Sequence, residues 1–211
     1  MQIIEKYDRQ FEYLGILINL LIAYQFYKIW SNPTINDAST VSALAALMAF
    51  EFIMVHSGVF MAVMPRKISL YVLFPVYGLF ALAFNAATEN NIILIAYLVV
   101  IFNRMRFAFS DVSPALKNRA ILTSVLAAII YFILIFVIMF TMNSIPELGL
   151  HEEYLEISGY NAAKTSGGVF IDTPHIAIFF GLIYYCFLVL IEVLLLYKPQ
   201  NKNPPINIPD L

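Results

Sequence analysis

The stretch that decides the fold is AILTSVLAAIIYFILIFVIMFTM, residues 120–142, because it contains no charged side chain. An α-helix rises 1.5 Å per residue, so these 23 residues extend about 35 Å as a helix. That length exceeds the hydrocarbon core of a bilayer, which is about 30 Å thick. The stretch therefore predicts a transmembrane helix.

Five further apolar stretches have a comparable length. They are residues 13–30, 41–64, 68–87, 92–109 and 175–197. The whole chain is 61% hydrophobic and 12% charged, whereas a soluble domain is roughly 45–50% apolar and about 25% charged. This composition excludes a water-soluble globule and predicts an all-α, polytopic integral membrane bundle of six transmembrane helices.

Charge and cysteine content exclude other classes of protein. The formal net charge is −2 and no basic stripe is present, so we expect no binding to nucleic acid. Cys186 is the only cysteine, which excludes a disulfide scaffold. The partner that the composition does predict is the lipid bilayer.

The basic residues predict an orientation. If all six spans cross, ten of the 12 Lys and Arg residues share a side with the N-terminus, and the exceptions are Lys28 and Lys164. Basic residues in short loops are retained on the cytoplasmic side of a membrane. We therefore expect both termini to be cytoplasmic, and we expect the membrane to be the cytoplasmic membrane of a bacterium.

The one long connection, residues 143–174, is predicted to form an outer-face loop. Within it Leu150, Tyr154 and Ile157 follow the spacing i, i+4, i+7. This spacing predicts a short helix that lies on the membrane surface.

Two features concern how the predicted spans pack. The spacings Ala45-x-x-x-Ala49 and Gly58-x-x-x-Ala62 allow close approach of neighbouring backbones, so the second span is predicted to be central. Pro75 falls inside the third span and is expected to kink it.

Polar residues inside the spans are the candidates for function. A charged residue costs about 2.5–3.5 kcal/mol at the bilayer centre on insertion scales. Glu51, His56 and Glu192 are the ionisable residues predicted to lie deep within the spans, and Asn19 and Asn85 add amide groups. We interpret Glu51, His56, Glu192 and Asn85 as candidates for a proton or ion path, because a buried carboxylate and a histidine can exchange protons near neutral pH.

A structural role for the same residues stays open. Each could act as an interhelical hydrogen-bonding group, for example Glu192 with Arg104 or Arg106. Glu51 and His56 are about 140° apart around one helix, so they are predicted to face different neighbours. Tyr184 and Tyr185 lie at mid-span and are expected to need hydrogen-bond partners.

The outer segments offer one further candidate site. His151, Asp172 and His175 have side chains that bind divalent metals, although their spacing matches no known motif. No cofactor is predicted. Haem with two axial histidines is disfavoured because His56 and His175 differ by roughly 20 Å in predicted depth.

Three functional classes follow from these features. The first is a small, non-enzymatic carrier or channel-like protein with a buried polar or proton path. The second is a non-catalytic subunit or assembly partner of a larger membrane complex, or a homo-oligomer. The third is a metal- or haem-binding membrane enzyme that acts at His151, Asp172 and His175.

Overall fold

The computed structural model describes residues 6–86, 91–105, 114–164 and 167–197. All regular structure in these ranges is helical, which confirms the predicted all-α class. The α-helices are α1 (Asp8–Ser31), α2 (Ala38–Val63), α3 (Arg66–Ile68), α4 (Phe74–Ala86), α5 (Ile92–Met105), α6 (Pro114–Thr141), α7 (Glu152–Ile157), α8 (Tyr160–Ala163), α9 (Val169–Asp172) and α10 (Pro174–Tyr197).

Five helical segments are long and apolar enough to cross a membrane. They are Asp8–Ser31, Ile35–Ser57, Ser69–Ala86, Leu116–Ser144 and Pro174–Tyr197. These segments correspond to five of the six predicted spans and support the interpretation as a membrane protein.

The remaining predicted span, residues 92–109, is described only through Met105. Helix α5 has 14 residues, so it extends about 21 Å, which is shorter than a bilayer core. Residues 106–109 and both chain termini lie outside the described residues. A sixth membrane crossing therefore stays a prediction, and so does the location of both termini on the same side of the membrane.

The third span is interrupted near Pro75. A π-helical turn, Ser69–Leu73, precedes α4, and the backbone N–H of Phe74 donates to the carbonyl of Ser69. Proline has no N–H and its ring clashes with the preceding turn of a regular helix. The wider π turn accommodates this clash at the position where the sequence predicts an irregularity.

Helix α2 lies at the centre of the bundle, as its small residues predict. It packs against α4, α5, α6 and α10, and α10 packs in turn against α1 and α6. Of the spanning segment Ile35–Ser57, 56% is buried, whereas the corresponding share for Ser69–Ala86 is 11%. A polar group on the inner faces of α2 is therefore removed from both water and lipid.

The segment 142–173, which we call the cap, covers one end of the bundle. The indole Nε1 of Trp30 donates to the carbonyl of Pro146 at 2.9 Å, and the Tyr154 hydroxyl donates to the carbonyl of Thr34 at 3.1 Å. Leu150 is almost fully buried. These contacts attach the cap to the ends of α1 and α2.

The short helix predicted in the cap is present as α7. The prediction of which residues form its buried apolar face is partly wrong. Tyr154 and Leu155 are buried, whereas Ile157 is 61% exposed. The backbone of His151 is extended, with ψ 163°, so Leu150 belongs to a separate 3-10 turn. The i, i+4, i+7 register therefore does not continue from Leu150 into α7.

Candidate functional site

The carboxylate of Glu51 lies in the middle of α2 and is completely buried, with 0% of the residue exposed. The hydroxyl of Tyr184 donates a hydrogen bond to Oε1 at 2.9 Å. The hydroxyl of Tyr185 donates to Oε2 at 3.3 Å. Each carboxylate oxygen thus accepts a hydrogen bond from a different tyrosine of α10.

Two adjacent tyrosines reach one carboxylate because α10 presents them on either side of α2. Neighbouring residues of an α-helix are separated by about 100° around its axis. The two rings are nearly perpendicular, at 72°, with centroids 5.3 Å apart. This edge-to-face packing holds both hydroxyls towards Glu51.

Aromatic side chains from two further helices enclose the site. The Tyr131 ring of α6 packs edge-to-face on Tyr184 at 5.5 Å, and its hydroxyl donates to the Met48 carbonyl at 2.7 Å. The Phe26 ring of α1 stacks on Tyr185 at 5.8 Å. The carboxylate therefore lies in a low-dielectric environment where four helices meet, and a charge there is costly unless it is hydrogen-bonded.

The structure does not bring His56 to Glu51. Its Nδ1 donates to the carbonyl of Phe52 on the same helix at 2.6 Å. The imidazole ring packs against Phe52 at 4.8 Å and Phe132 at 5.7 Å, and both phenylalanines are exposed at the bundle surface. Glu51 and His56 thus face different neighbours, as their angular separation predicts.

Asn85 joins two helices at an end of the bundle. Its Oδ1 accepts a hydrogen bond from the Leu94 backbone N–H at 3.2 Å, and its Nδ2 donates to Asn91 Oδ1 at 3.0 Å. The first N–H groups of a helix have no partner within that helix, so Asn85 satisfies one of these groups in α5. This contact gives Asn85 a structural function at the start of α5.

Glu192 lies on α10, seven residues beyond Tyr185, and is partly buried. Seven residues are nearly two helical turns, so the two side chains leave α10 on the same face. The Arg104 side chain and Arg106 lie outside the described part of the chain. Pairing of Glu192 with either arginine therefore stays a prediction.

The outer candidates for a metal site have separate partners. Asp172 accepts hydrogen bonds from the Gly168 N–H at 2.8 Å and from Lys164 Nζ at 3.1 Å. His151 Nδ1 donates to the Leu148 carbonyl at 3.3 Å, and His175 is buried at the start of α10. Within the described ranges, no three His, Cys, Asp or Glu side chains come together to hold a metal ion.

One ionic cluster was missed by sequence reasoning. The Arg119 guanidinium, at the start of α6, contacts the carboxylates of Asp8 and Glu12 on α1. Both acids are mostly buried, and their i, i+4 spacing places them on one helical face. The predicted spans begin at residues 13 and 120, so Asp8, Glu12 and Arg119 fall in predicted loops. If the helices had been predicted to begin earlier, the two acids would have been seen to share a helical face.

No protein-family model, curated protein or solved structure matches this chain. The functional inference therefore depends on the side chains and their geometry. The most distinctive group is the buried carboxylate of Glu51 with the hydroxyls of Tyr184 and Tyr185.

Proposed function

We propose that this protein is a small, channel-like membrane protein that conducts protons, with Glu51 as its proton-binding group. The observation that carries the proposal is the fully buried position of the Glu51 carboxylate between two tyrosine hydroxyls. An ionisable residue within a membrane is costly to retain, and such residues commonly mark ion or proton pathways.

The surroundings of Glu51 suit reversible binding of a proton. Burial among aromatic rings disfavours the charged carboxylate, whereas hydrogen bonds from Tyr184 and Tyr185 favour it. A tyrosine hydroxyl can donate to a carboxylate and can also accept from a carboxylic acid. The two tyrosines can therefore hydrogen-bond Glu51 in both protonation states, as a group that accepts and releases a proton requires.

The competing interpretation is that Glu51 only stabilises the packing of α2 against α10 through its hydrogen bonds. Both interpretations require the hydrogen bonds from the tyrosines, but only conduction requires a group that ionises. Glu51→Gln separates them, because an amide keeps the size and an acceptor oxygen but does not exchange a proton in this way.

Proton uptake into liposomes that contain the purified protein and a trapped pH-sensitive dye tests the proposal. A potassium gradient with an ionophore supplies the driving force. We expect Glu51→Gln to reduce uptake to the rate of protein-free liposomes. Glu156→Gln is the matched control, because Glu156 is exposed in the cap, and it should conduct as the original protein does. Equal uptake by the Glu51→Gln variant and the original protein would show that the proposal is wrong.

A second candidate function is that of a non-catalytic subunit of a larger membrane complex. Leu79 of α4 is 66% exposed and Leu82 is 51% exposed. Either lipid or a partner helix covers this apolar face. Native mass spectrometry of the protein purified from its own membrane tests this function, and a stoichiometric complex with another chain is the expected result. A species that contains this chain alone would contradict it.

We also propose that both termini are cytoplasmic, in a bacterial cytoplasmic membrane. The distribution of basic residues supports this orientation. Reporter enzymes that are active on only one side of the membrane, fused separately to each end, test it. Activity of the two fusions on opposite sides would contradict an even number of crossings.

A further inference from the structure

Buried polar residues are distributed unevenly around Glu51. One end of the bundle carries the cap, and we call the other end, where α1 begins and α2 ends, the N-terminal end. Among the described residues, the buried polar side chains between Glu51 and the N-terminal end are Asp8, Asn19, Ser57, Ser69 and Ser124. On the cap side of Glu51 the corresponding residue is His175, and buried tyrosine hydroxyls there donate to backbone carbonyls, from Tyr131 to Met48, from Tyr154 to Thr34 and from Tyr160 to Ile171.

The contacts between α1 and α10 place Asn19 and Glu192 at one level. The rings of Trp30 and Phe179 pack at 5.0 Å, and those of Phe26 and Tyr185 pack at 5.8 Å, so the two helices are antiparallel. Asn19 lies seven residues before Phe26, and Glu192 lies seven residues after Tyr185. Each displacement keeps the same helical face and moves about 10 Å towards the N-terminal end.

The contacts of α2 and α6 place two serines on the N-terminal side of Glu51. Arg119, at the start of α6, contacts Asp8 and Glu12 at the end of the bundle where α2 ends, so α2 and α6 are antiparallel, and Tyr131 lies beside Met48. Ser124 lies seven residues before Tyr131, and Ser57 lies six residues after Glu51. By helical rise, Ser57 is about 9 Å closer to the N-terminal end than Glu51 is, and Ser124 is about 6 Å closer, because Met48 lies three residues on the cap side of Glu51.

Four polar side chains from four helices thus lie about 6–10 Å from Glu51 towards the N-terminal end by helical rise, and Ser57 Oγ donates to the Met54 carbonyl of its own helix at 2.7 Å. We call this set the polar layer, and its members are Asn19, Ser57, Ser124 and Glu192. The ionic cluster of Arg119 with Asp8 and Glu12 follows at the next level, because Glu12 precedes Asn19 by a further seven residues. The Arg119 side chain is 22% exposed, so this cluster reaches the surface.

The buried residues between Glu51 and the cap are mostly apolar. The side chains buried between Glu51 and the cap on α2 and α10 include Leu44, Leu47, Met48, Ile176, Ile178 and Phe180. The packed rings of Trp30 and Phe179 and the attached cap lie beyond them. The Tyr131 hydroxyl in this region already donates to the Met48 carbonyl, so the described side chains here offer few groups for a chain of hydrogen-bonded water.

We propose that, in this conformation, Glu51 exchanges protons with the N-terminal end alone, through water held at the polar layer. This inference rests on the proposed function of Glu51. A hydrogen bond spans about 3 Å, whereas the polar levels are about 6–10 Å apart, so water molecules bridge the intervals. A proton from surface water passes along these molecules and joins a Glu51 carboxylate oxygen, and the reverse transfer restores the carboxylate.

Protonation of Glu51 can be measured without any flux. A membrane-permeant carbodiimide reacts with protonated carboxyl groups, and mass spectrometry locates the product on Glu51. The pH inside and outside liposomes is set independently, and a protease-cleavable N-terminal tag identifies the orientation of each molecule. We expect modification of Glu51 to follow the pH at the N-terminal end. Modification that follows the pH at the cap end, or both equally, would overturn the proposal.

A substitution in the polar layer tests the route itself. After a pH jump at the N-terminal end, we expect Asn19→Leu to slow the protonation of Glu51 by about tenfold, which corresponds to about 1.4 kcal/mol in the barrier. Asn19→Ser should preserve the rate, because a hydroxyl still binds water. Leu20→Asn is the control, since Leu20 is 48% exposed on the outer face of α1. A rate in the Asn19→Leu variant equal to that of this control would overturn the route.

The two proposals fail in different ways. If Glu51 takes up protons from the N-terminal end but Glu51→Gln does not alter flux, the access route stands and proton conduction is wrong. If Glu51→Gln abolishes flux but modification follows the pH at the cap end, conduction stands and the route is wrong.

Discussion

The hydroxyl of Tyr184 lies 2.9 Å from Oε1 of Glu51 and joins α10 to α2 across a separation of 133 residues. Tyr185 makes the parallel contact to Oε2 at 3.3 Å. The pair connects α10 to the central helix α2 near the middle of both helices. Its contribution to stability can be measured separately from any function of Glu51.

Replacement of Tyr184 by phenylalanine removes the shorter hydrogen bond and keeps the ring. A hydrogen bond contributes about 0.5–1.5 kcal/mol, and about 1.5–3 kcal/mol when one partner is charged, so we expect Tyr184→Phe to lower the free energy of unfolding by about 0.5–3 kcal/mol. Tyr185→Phe should cost less, because its hydrogen bond is longer. Unfolding in detergent measures both variants. Tyr24→Phe is the control, since Tyr24 is 62% exposed, and equal stability of this control and Tyr184→Phe would contradict the prediction.

Gly181 allows α1 and α10 to approach closely. A Cβ atom at this position would lie 2.3 Å from Cε1 of Phe26, a side chain that is fully buried. Overpacking of this kind costs about 1–3 kcal/mol, so Gly181→Ala should destabilise the protein by that amount. Thermal unfolding of the detergent-solubilised variants measures the loss.

Gly78 provides a matched control for this substitution. A Cβ atom there would be 3.5 Å from the Tyr97 hydroxyl, which is an ordinary contact distance. Gly78→Ala should therefore be close to neutral or slightly stabilising, because alanine is the better helix former. If the two alanine variants unfold at the same temperature, the contact between Gly181 and Phe26 is not tight.

Asp172 makes the cap sensitive to acid. The Gly168 N–H and then Lys164 hold the pKa of this carboxyl below its ordinary value of 3.8. Because the folded pKa is depressed, the stabilisation is present above pH 3.8 and is lost as the pH falls through the lower, folded pKa. The exchange rate of the Gly168 amide hydrogen measures this stabilisation. Protection of that amide from exchange should decline below pH 3.8.

The Asp172→Asn variant separates this effect from general acid unfolding. Asparagine keeps an acceptor oxygen but does not titrate. Protection of the Gly168 amide, relative to exchange in an unstructured peptide, should then be weaker and should not change with pH through the acid range. The same acid-dependent loss in this variant would show that Asp172 is not responsible.

Sequence reasoning placed Glu51, Tyr184 and Tyr185 inside spans and showed that the tyrosines needed partners. It did not show that the three side chains meet. That meeting depends on the rotation of α2 and α10 about their axes, which arises from the packing of aromatic rings such as those of Phe26 and Tyr131. His56 and Asn85 bind other partners in the structure, so a path that joins them to Glu51 stays a prediction.

The sequence by itself determined that the chain is helical and rich in membrane-spanning segments, because the cost of placing charge and unpaired backbone groups in lipid is a local property of each stretch. It also determined which residues are unusual there, with Glu51 foremost. Only the tertiary structure decided that Glu51 meets two tyrosines, that polar groups follow towards the N-terminal end, and that the buried residues between Glu51 and the cap are mostly apolar. The physical reason is that helix rotation and partner choice minimise the free energy of the whole bundle, so no single stretch contains that information.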